Sequence, residues 1–505
     1  MKEEQTIVLP DKIDECHEMI KRQAERMAWL EQRLFGSKKD RAFPYEGPTL
    51  FDDLFKEAEK ERAEAVRQAS AEVDARAAKR RAAAKKPANE NRPAKYQYSG
   101  LREQTTVKYP EGVNLEEYDI IGRDVTRLLH YQKAEVWVEC IERPILRKKA
   151  DKTSLSAEIV QAPAPDAVIG GNHVAADMLA QLVVNKFTYH IPEYRQAKML
   201  SDLGVTLPRS TMNDWIHAVA DVLYPLYESQ CEAVRAGGYL QVDEAPWKIA
   251  DRPKQACRNG YAWQFRDVSR SSRGTFFYYH KGSRGGEIAR TQLRGYKGII
   301  QTDGYKVYEI FENVPGITTL ACWAHVRRKF VDAQKSNPKA GEVVQYIAKL
   351  YTLEENLRHD GATEEKIRQE RQRLASPILE GIRLWLQNTL PRCTPKEPLA
   401  KAINYALSLW PRLERYTENG LYQIDTNPVE RGQRPTVMGR KNYLFCQNDR
   451  GAEDNAVFYT LLVTCENLKV PPLEWLTRTL ERIKPDMDEE QIVALLPYNF
   501  KADAS

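Results

Sequence analysis

Hydrophobic positions change period several times along the chain, and each change predicts a different element. Ile13, Ile20, Met27 and Leu34 recur every seven residues, with Leu30 at a d-like position, on a charged background ending near Gly36. This spacing predicts a coiled coil over residues 1–40, although one amphipathic helix packed on its own chain gives the same pattern. Residues 41–100 are rich in Ala, Glu, Lys and Arg and read as a charged linker, partly helical, with a basic run from Ala75 to Pro87. Alternation returns over 101–150, as in Glu135-Val-Trp-Val-Glu-Cys-Ile141, and predicts a small β module. Helical spacing then covers 151–236, with Tyr194 to Leu200, a turn at Gly204 and a second helix opening at Pro208. That is the pattern of a helix-turn-helix, with Arg209, Ser210 and Thr211 as DNA-reading residues, and also that of an ordinary αα-hairpin.

From Gly237 the pattern turns to strands. Gly238 to Val242, Tyr261 to Val268 and Thr275 to His280 predict an antiparallel meander, Gly286 to Leu293 a helix, and Gly298 to Thr302 a fourth strand. Ile317 to Cys322 suggests a fifth. The order β-β-β-α-β is the layout of a ribonuclease-H-like core, so the expected fold class is α/β, with a mixed five-stranded sheet and helices. The first part of that core is assigned to residues 237–330. Helical spacing without a strand, as at Val343, Val344, Ile347 and Leu350, makes 331–421 an all-helical insertion; 422–460 completes the core and 461–505 is a helical tail.

The chemistry lies where these strands end. Asp243 follows the first strand and Asp303 the fourth, 60 residues later. In the expected topology these strands are neighbours, which brings the two carboxylates together. Such a pair repels itself unless a hard divalent cation neutralises it, and Mg²⁺ prefers oxygen ligands. Glu430 in Asp425-Thr-Asn-Pro-Val-Glu-Arg431 opens a helix; with Asn427 as cap it reads as a capping box, and in company with the aspartates as a third metal ligand. Arg327, Arg328 and Lys329 form a compact cationic run, and Arg431, Arg434, Arg440 and Lys441 surround Glu430 with positive charge.

Composition excludes several classes. Among 505 residues, 42% hydrophobic and 29% charged exclude a wholly disordered or collagen-like chain. The apolar run Ala456 to Cys465 is about half of the roughly 20 residues that cross a bilayer, so no membrane role is expected. Eight cysteines, the closest two 19 positions apart, offer no zinc knuckle and suit reduced thiols in the cytoplasm. A net charge of +5 leaves any nucleic-acid affinity to local clusters.

Val242-Asp-Glu-Ala-Pro246, Gln301-Thr-Asp-Gly-Tyr305, Cys322-Trp-Ala-His-Val-Arg-Arg-Lys-Phe330, Asn427-Pro-Val-Glu-Arg431 and Gly439-Arg-Lys-Asn-Tyr-Leu-Phe445 together resemble the insertion-sequence-66 family of DDE transposases, over about residues 159–481. The resemblance implies that Asp243, Asp303 and Glu430 are the catalytic acidic triad and hold two Mg²⁺ ions, with Mn²⁺ able to substitute. It implies cleavage and strand transfer of DNA ends. Arg327, Arg328, Lys329, Arg431, Arg440 and Lys441 are then candidates for backbone contact, and His325 for orienting water or phosphate. The implied partners are double-stranded DNA (terminal inverted repeats and target), further copies of the chain as a homodimer or higher oligomer, and accessory proteins of the same element, with nucleoid-associated localisation. Members commonly carry a cysteine-rich zinc module where this chain has Ile120 to Arg147 without those cysteines, so no zinc is expected.

Two other functions fit parts of the sequence. His325-Val-Arg-Arg328 has the His-x-x-Arg spacing of tyrosine recombinases, with Tyr422, Tyr443 and Tyr459 as nucleophile candidates. A DNA-binding protein with the same fold and no chemistry is the other.

Overall fold

The computed structural model describes residues 60–84, 135–142, 145–147, 159–161, 166–170 and 174–501. The heptad positions Ile13 to Leu34 lie outside them. Ahead of the main sheet come α1 (Lys60–Ala84), an antiparallel pair β1 (Ile145–Arg147) and β2 (Ile159–Gln161), then α2 (Ala176–Phe187), α3 (Glu193–Asp202) and α4 (Arg209–Arg235). Gly204, at φ +91°, makes the turn between α3 and α4. The alternating run Glu135 to Ile141 is not a strand, contrary to expectation: residues 135–142 are exposed and pair with no strand among the described residues, with Trp137 and Val138 facing solvent. Alternation encodes a strand only where a partner ladder exists.

The central sheet is built from β3 (Tyr239–Asp251), β4 (Ala256–Asp267), β5 (Thr275–His280), β6 (Gly298–Thr302) and β7 (Ile317–Ala321), with α5 (Gly286–Gln292) between β5 and β6. Its order is β5-β4-β3-β6-β7. β3, β4 and β5 pair antiparallel, while β6 and β7 run parallel to β3, β6 being reached through the α5 crossover. Alternation sorts the side chains between the two faces. Leu240, Val242, Trp263, Phe265 and Phe276 pack on one face with α5, whereas Trp247, Ile249, Phe277 and Tyr279 pack on the other. Asp243 is not at a strand end, as expected, but inside β3, opposite Gln264 of β4. What ends near it is the parallel pairing, whose last register pair is Gln241 with Gln301. The expected strand stopped at the first charges; the hairpin continues because Trp247 and Ile249 beyond them are buried.

Between β7 and the return to the sheet stands a helical block: α6 (Trp323–Gln334), α7 (Ala340–His359), α8 (Glu364–Glu370), a π-helical turn Arg371–Ala375, α9 (Ser376–Thr389), α10 (Pro398–Ser408) and α11 (Trp410–Glu414). Trp323, Val326 and Phe330 of α6 join Val343, Ile347, Ile382 and Trp385 in its core. Arg371 and Glu354 form a buried ion pair at 2.7 Å, and the same guanidinium donates to the carbonyls of Tyr416, Asn419 and Tyr422. The segment expected as a charged, partly helical linker is helical over α1, and that helix packs on the body. In α1, Val66, Ala69 and Val73 recur at helical spacing and are buried in this block, against α7 and α9.

The chain closes with α12 (Asn427–Tyr443), α13 (Asp449–Leu468), α14 (Pro472–Arg482) and α15 (Glu489–Ala494). α13 is buried on almost every side, which explains its apolar composition: it runs over β5, between the sheet and α2 and α4. Among the described residues, no helix is long and apolar enough to cross a membrane.

Candidate active site

Gln241 and Gln301 each precede an aspartate by two residues; the period of two puts Gln241 and Asp243 on one face of β3, while Asp303 follows the end of β6 and accepts from Tyr305 N at 2.8 Å. Since Gln241 and Gln301 are register partners, Asp243 and Asp303 lie equally far beyond the last parallel pair. Both glutamines are fully buried. Gln241 Nε2 donates to Gln301 Oε1 at 2.9 Å and to the Asp425 carbonyl at 2.8 Å, while its Oε1 accepts from Val429 N at 3.3 Å. Gln301 Nε2 donates to the Gln423 carbonyl at 2.8 Å, and Tyr239 Oη accepts from Gln423 N at 2.9 Å while donating to Gln301 Oε1 at 2.7 Å. The strand amides thus lace residues 423–429 across the sheet, and Glu430 follows directly. Gly432 lets α12 come this close, since a Cβ there would collide with the Gln264 amide.

The capping-box arrangement expected around Asn427 is absent. Thr426 is the N-cap without a side-chain bond, Asn427 is already helical, and its amide donates to Asp425 Oδ2 at 2.6 Å. Glu430 instead turns toward α6, with Oε2 3.3 Å from Arg328 Nη2 and Oε1 3.5 Å from His325 Nε2.

Burial, then the charges of Glu244, Asp303 and Glu430, push the Asp243 carboxyl up to about 7. Burial lowers His325 from its ordinary value against the opposing pull of Glu430 and Asp303, so its ring is neutral at pH 7. Glu430 Oε1 and His325 Nδ1 are buried without a hydrogen-bond partner among the described residues. Cys322 Sγ, a His325 nitrogen and a Glu430 oxygen also lie within 4.8 Å of one another. The thiol, however, accepts from Thr426 N at 3.3 Å, and burial holds it protonated, up to about 12. Cys322 anchors the entry to α12.

The cations divide. Arg328 contacts Glu430 directly, and Lys329 lies over the Tyr405 ring, whose hydroxyl donates to the Asp303 carbonyl. Arg327 shares their helix, half-buried. Arg431 is exposed beside Glu430; Arg440 and Lys441 come about three turns later on α12, with Arg440 Nη1 donating to the Pro246 carbonyl at 2.7 Å. Arg209 and Ser210 are exposed and Thr211 half-buried in the first turn of α4, and no hydrogen bond or ion pair among the described residues links them to the acids. Tyr443 and Tyr459 bond each other through their hydroxyls, whereas His325 and Arg328 face Glu430.

Sequence reasoning passed over Glu244. Its side chain, on the opposite sheet face from Asp243, is buried between Arg284 and the Tyr308 hydroxyl, and Arg284 stacks 4.2 Å from the Tyr305 ring centroid. Burial raises the Glu244 carboxyl. The available signal was the charge pair Asp243-Glu244 inside a strand, which gives each face one acid.

The sequence pattern described as "Transposase IS66 family" matches residues 171–454, a span that includes Asp243, Asp303 and Glu430. Three relatives, each named an uncharacterized protein, come from Sinorhizobium fredii (strain NBRC 101917 / NGR234). y4jD is 32% identical over 358 residues, 68% of this chain and 70% of its own length. y4qI is 33% identical over 361 residues, covering 68% and 66%. y4hP is 29% identical over 366 residues, covering 68% and 65%.

Proposed function

The chain belongs to the transposase IS66 family, and from that premise we propose that it cuts and joins DNA ends by metal-dependent phosphoryl transfer at Asp243, Asp303 and Glu430. The observation that carries this reading is the convergence itself: two neighbouring strands and α12 bring three carboxylates close enough that Asp303 and Glu430 both raise Asp243. The sheet order supports a ribonuclease-H-like core, into which the helical block from α6 to α11 would be an insertion.

The donor set fits a hard divalent cation. A carboxyl raised by its acidic neighbours, as Asp243 is, is relieved by positive charge, and Glu430 Oε1 is buried with no hydrogen bond among the described residues. Asp243, Asp303 and Glu430 would hold two Mg²⁺ ions, with Mn²⁺ as substitute. Bound there, the metal supplies Lewis-acid activation of water or a 3′-hydroxyl and neutralises the leaving oxygen.

The remaining chemistry belongs to the chain. His325, neutral and half-buried, offers a ring nitrogen that accepts a proton or hydrogen bond from an attacking hydroxyl. Arg328 is more than half exposed while touching Glu430, so it can exchange that contact for a phosphate oxygen. Lys329 and Arg431 add charge along the same rim, and Arg440 and Lys441 extend it down α12. Arg209, Ser210 and Thr211 would contact DNA away from the reacting phosphate. The duplexes acted on are the element's terminal inverted repeats and its target, held by two or more copies of the chain.

The test is cleavage of a duplex carrying the inverted repeat that flanks the gene, with Mg²⁺ or Mn²⁺ and with EDTA. Cleavage that needs metal and leaves no protein–DNA adduct supports the reading. Cleavage that survives EDTA with a covalent phosphotyrosine establishes the recombinase alternative, and binding without cleavage the inactive one.

A further inference from the structure

Beyond the acids, the seam between β3 and α12 runs on to a small cavity of about 20 Å³ lined by Trp247, Lys248, Arg440, Tyr443, Phe445 and Tyr459, among others. Trp247 follows Asp243 by four residues on the same face of β3, about 13 Å at the rise of a strand. Arg440 follows Glu430 by ten residues, about 15 Å along α12. Cavity and acids therefore lie along one line. The Trp247 indole N–H is buried there without a hydrogen-bond partner, although buried tryptophans usually find one.

At the cavity the chain is bent against its preference. Leu444 has φ +66° and ψ −54°, and Phe445 N donates to the Tyr443 carbonyl at 2.8 Å, which is a γ-turn of the rare positive-φ kind. Both sides of the turn are held. Leu444 N donates to the Arg440 carbonyl at 2.9 Å; past the turn, Cys446 clips to the edge of β3 that β6 leaves open, donating to Lys248 O and accepting from Ala250 N, both at 2.8 Å. The strained turn leaves Leu444 62% and Phe445 42% exposed, with Lys248, Arg440 and Lys441 nearby. Leu444 and the exposed part of Phe445 are apolar surface held in water among cations. A DNA duplex supplies both complements: phosphates for the cations, and a base step that an apolar wedge can part.

We propose that Leu444 and Phe445 form a wedge that opens one base step of the bound DNA. The inference rests on the transposase reading, and it places the opened step about four base-pair rises from the reacting phosphate.

The experiment uses the full chain and duplexes carrying 2-aminopurine at single positions on either side of the element's terminus, with binding followed by anisotropy. In an Asp303→Asn background, which keeps the DNA uncut, fluorescence at one position rises several-fold on binding, and its side of the terminus tells whether element or flanking DNA supplies the base. The double variant Leu444→Gly, Phe445→Ala keeps affinity within about threefold, because the cations hold the backbone, yet loses the rise. With the triad intact, that variant cuts about tenfold or more slowly, and an abasic nucleotide at the same position restores the rate. Phe445→Ala alone serves as the control for folding, since it leaves the backbone turn in place. A rise unchanged in both variants, or no rise at any position in bound DNA, overturns the wedge. A rise in a parent chain that cuts nothing keeps the wedge and removes the acid-triad chemistry, whereas cutting without a rise does the reverse.

Discussion

Gln241 and Gln301 meet across β3 and β6 at 2.9 Å, each two residues ahead of an acid, and between them they hold the backbone that delivers Glu430. Replacing Gln301 with Leu strands the Tyr239 hydroxyl and the Gln423 carbonyl in the interior, at about 1–3 kcal/mol for each unsatisfied group. Chemical denaturation is expected to show a loss of about 2–6 kcal/mol, with cleavage falling further than the folded fraction does. Cleavage that simply tracks the folded fraction would show that these amides do not position Glu430.

Asp303→Asn and Glu430→Gln each preserve shape and remove one charge from a crowded site. The expected result is an unchanged or slightly higher melting temperature, near-parental DNA affinity, and a loss of cleavage on the order of 10³-fold, the scale of removing one electrostatic stabiliser at a reacting centre. Substantial residual cleavage in either variant would remove that residue from the triad.

Asp243 gives the apo protein a distinct pH response. Its folded value, about 7, stands above the roughly 3.9 of an unfolded aspartate, so between those values the native state holds the extra proton. Stability from this group therefore falls as pH rises from about 4 to 7 and stays low above that range. The melting temperature in EDTA is expected to be lower at pH 8 than at pH 5.5, with a smaller drop in Asp243→Asn. Mg²⁺ is expected to stabilise the parent more at pH 8, where the site is fully charged. Equal Mg²⁺ stabilisation at both pH values would argue against a metal bound through this carboxylate.

The buried pair Arg371–Glu354 ties the helical block to the segment that leads back to the sheet. Arg371→Met leaves Glu354 uncompensated and is expected to cost about 3–5 kcal/mol in urea unfolding. Adding Glu354→Leu removes the stranded charge and recovers part of that loss. Recovery stays incomplete because the Tyr416, Asn419 and Tyr422 carbonyls have still lost their donor.

Much of the core was legible because its signals are local. Thr275–His280 and Gly298–Thr302 have the expected bounds, since aromatic or β-branched runs closed by turn residues specify strands without help from distant chain. The helices of 331–421 announced themselves by period, as did the helix opening near Asn427. Asp243, Asp303 and Glu430 could be singled out by their place in the element order. By contrast, α1 read as a linker because three small or branched residues on a charged helix look solvated until a partner surface appears. Glu135 to Ile141 read as a strand because pattern alone carries no information about pairing.

What the sequence determined by itself was the identity and order of the elements and the residue types at their ends, for these follow from spacing, turn chemistry and the energetics of neighbouring side chains. Only the tertiary structure decided that Glu244 faces away from Asp243 toward Arg284, that Glu430 turns to His325 and Arg328 instead of capping its own helix, and that Leu444 is held in a strained turn beside Trp247. Each of these depends on contacts between residues far apart in the chain, and their energies exist only once the intervening segments have folded and excluded water.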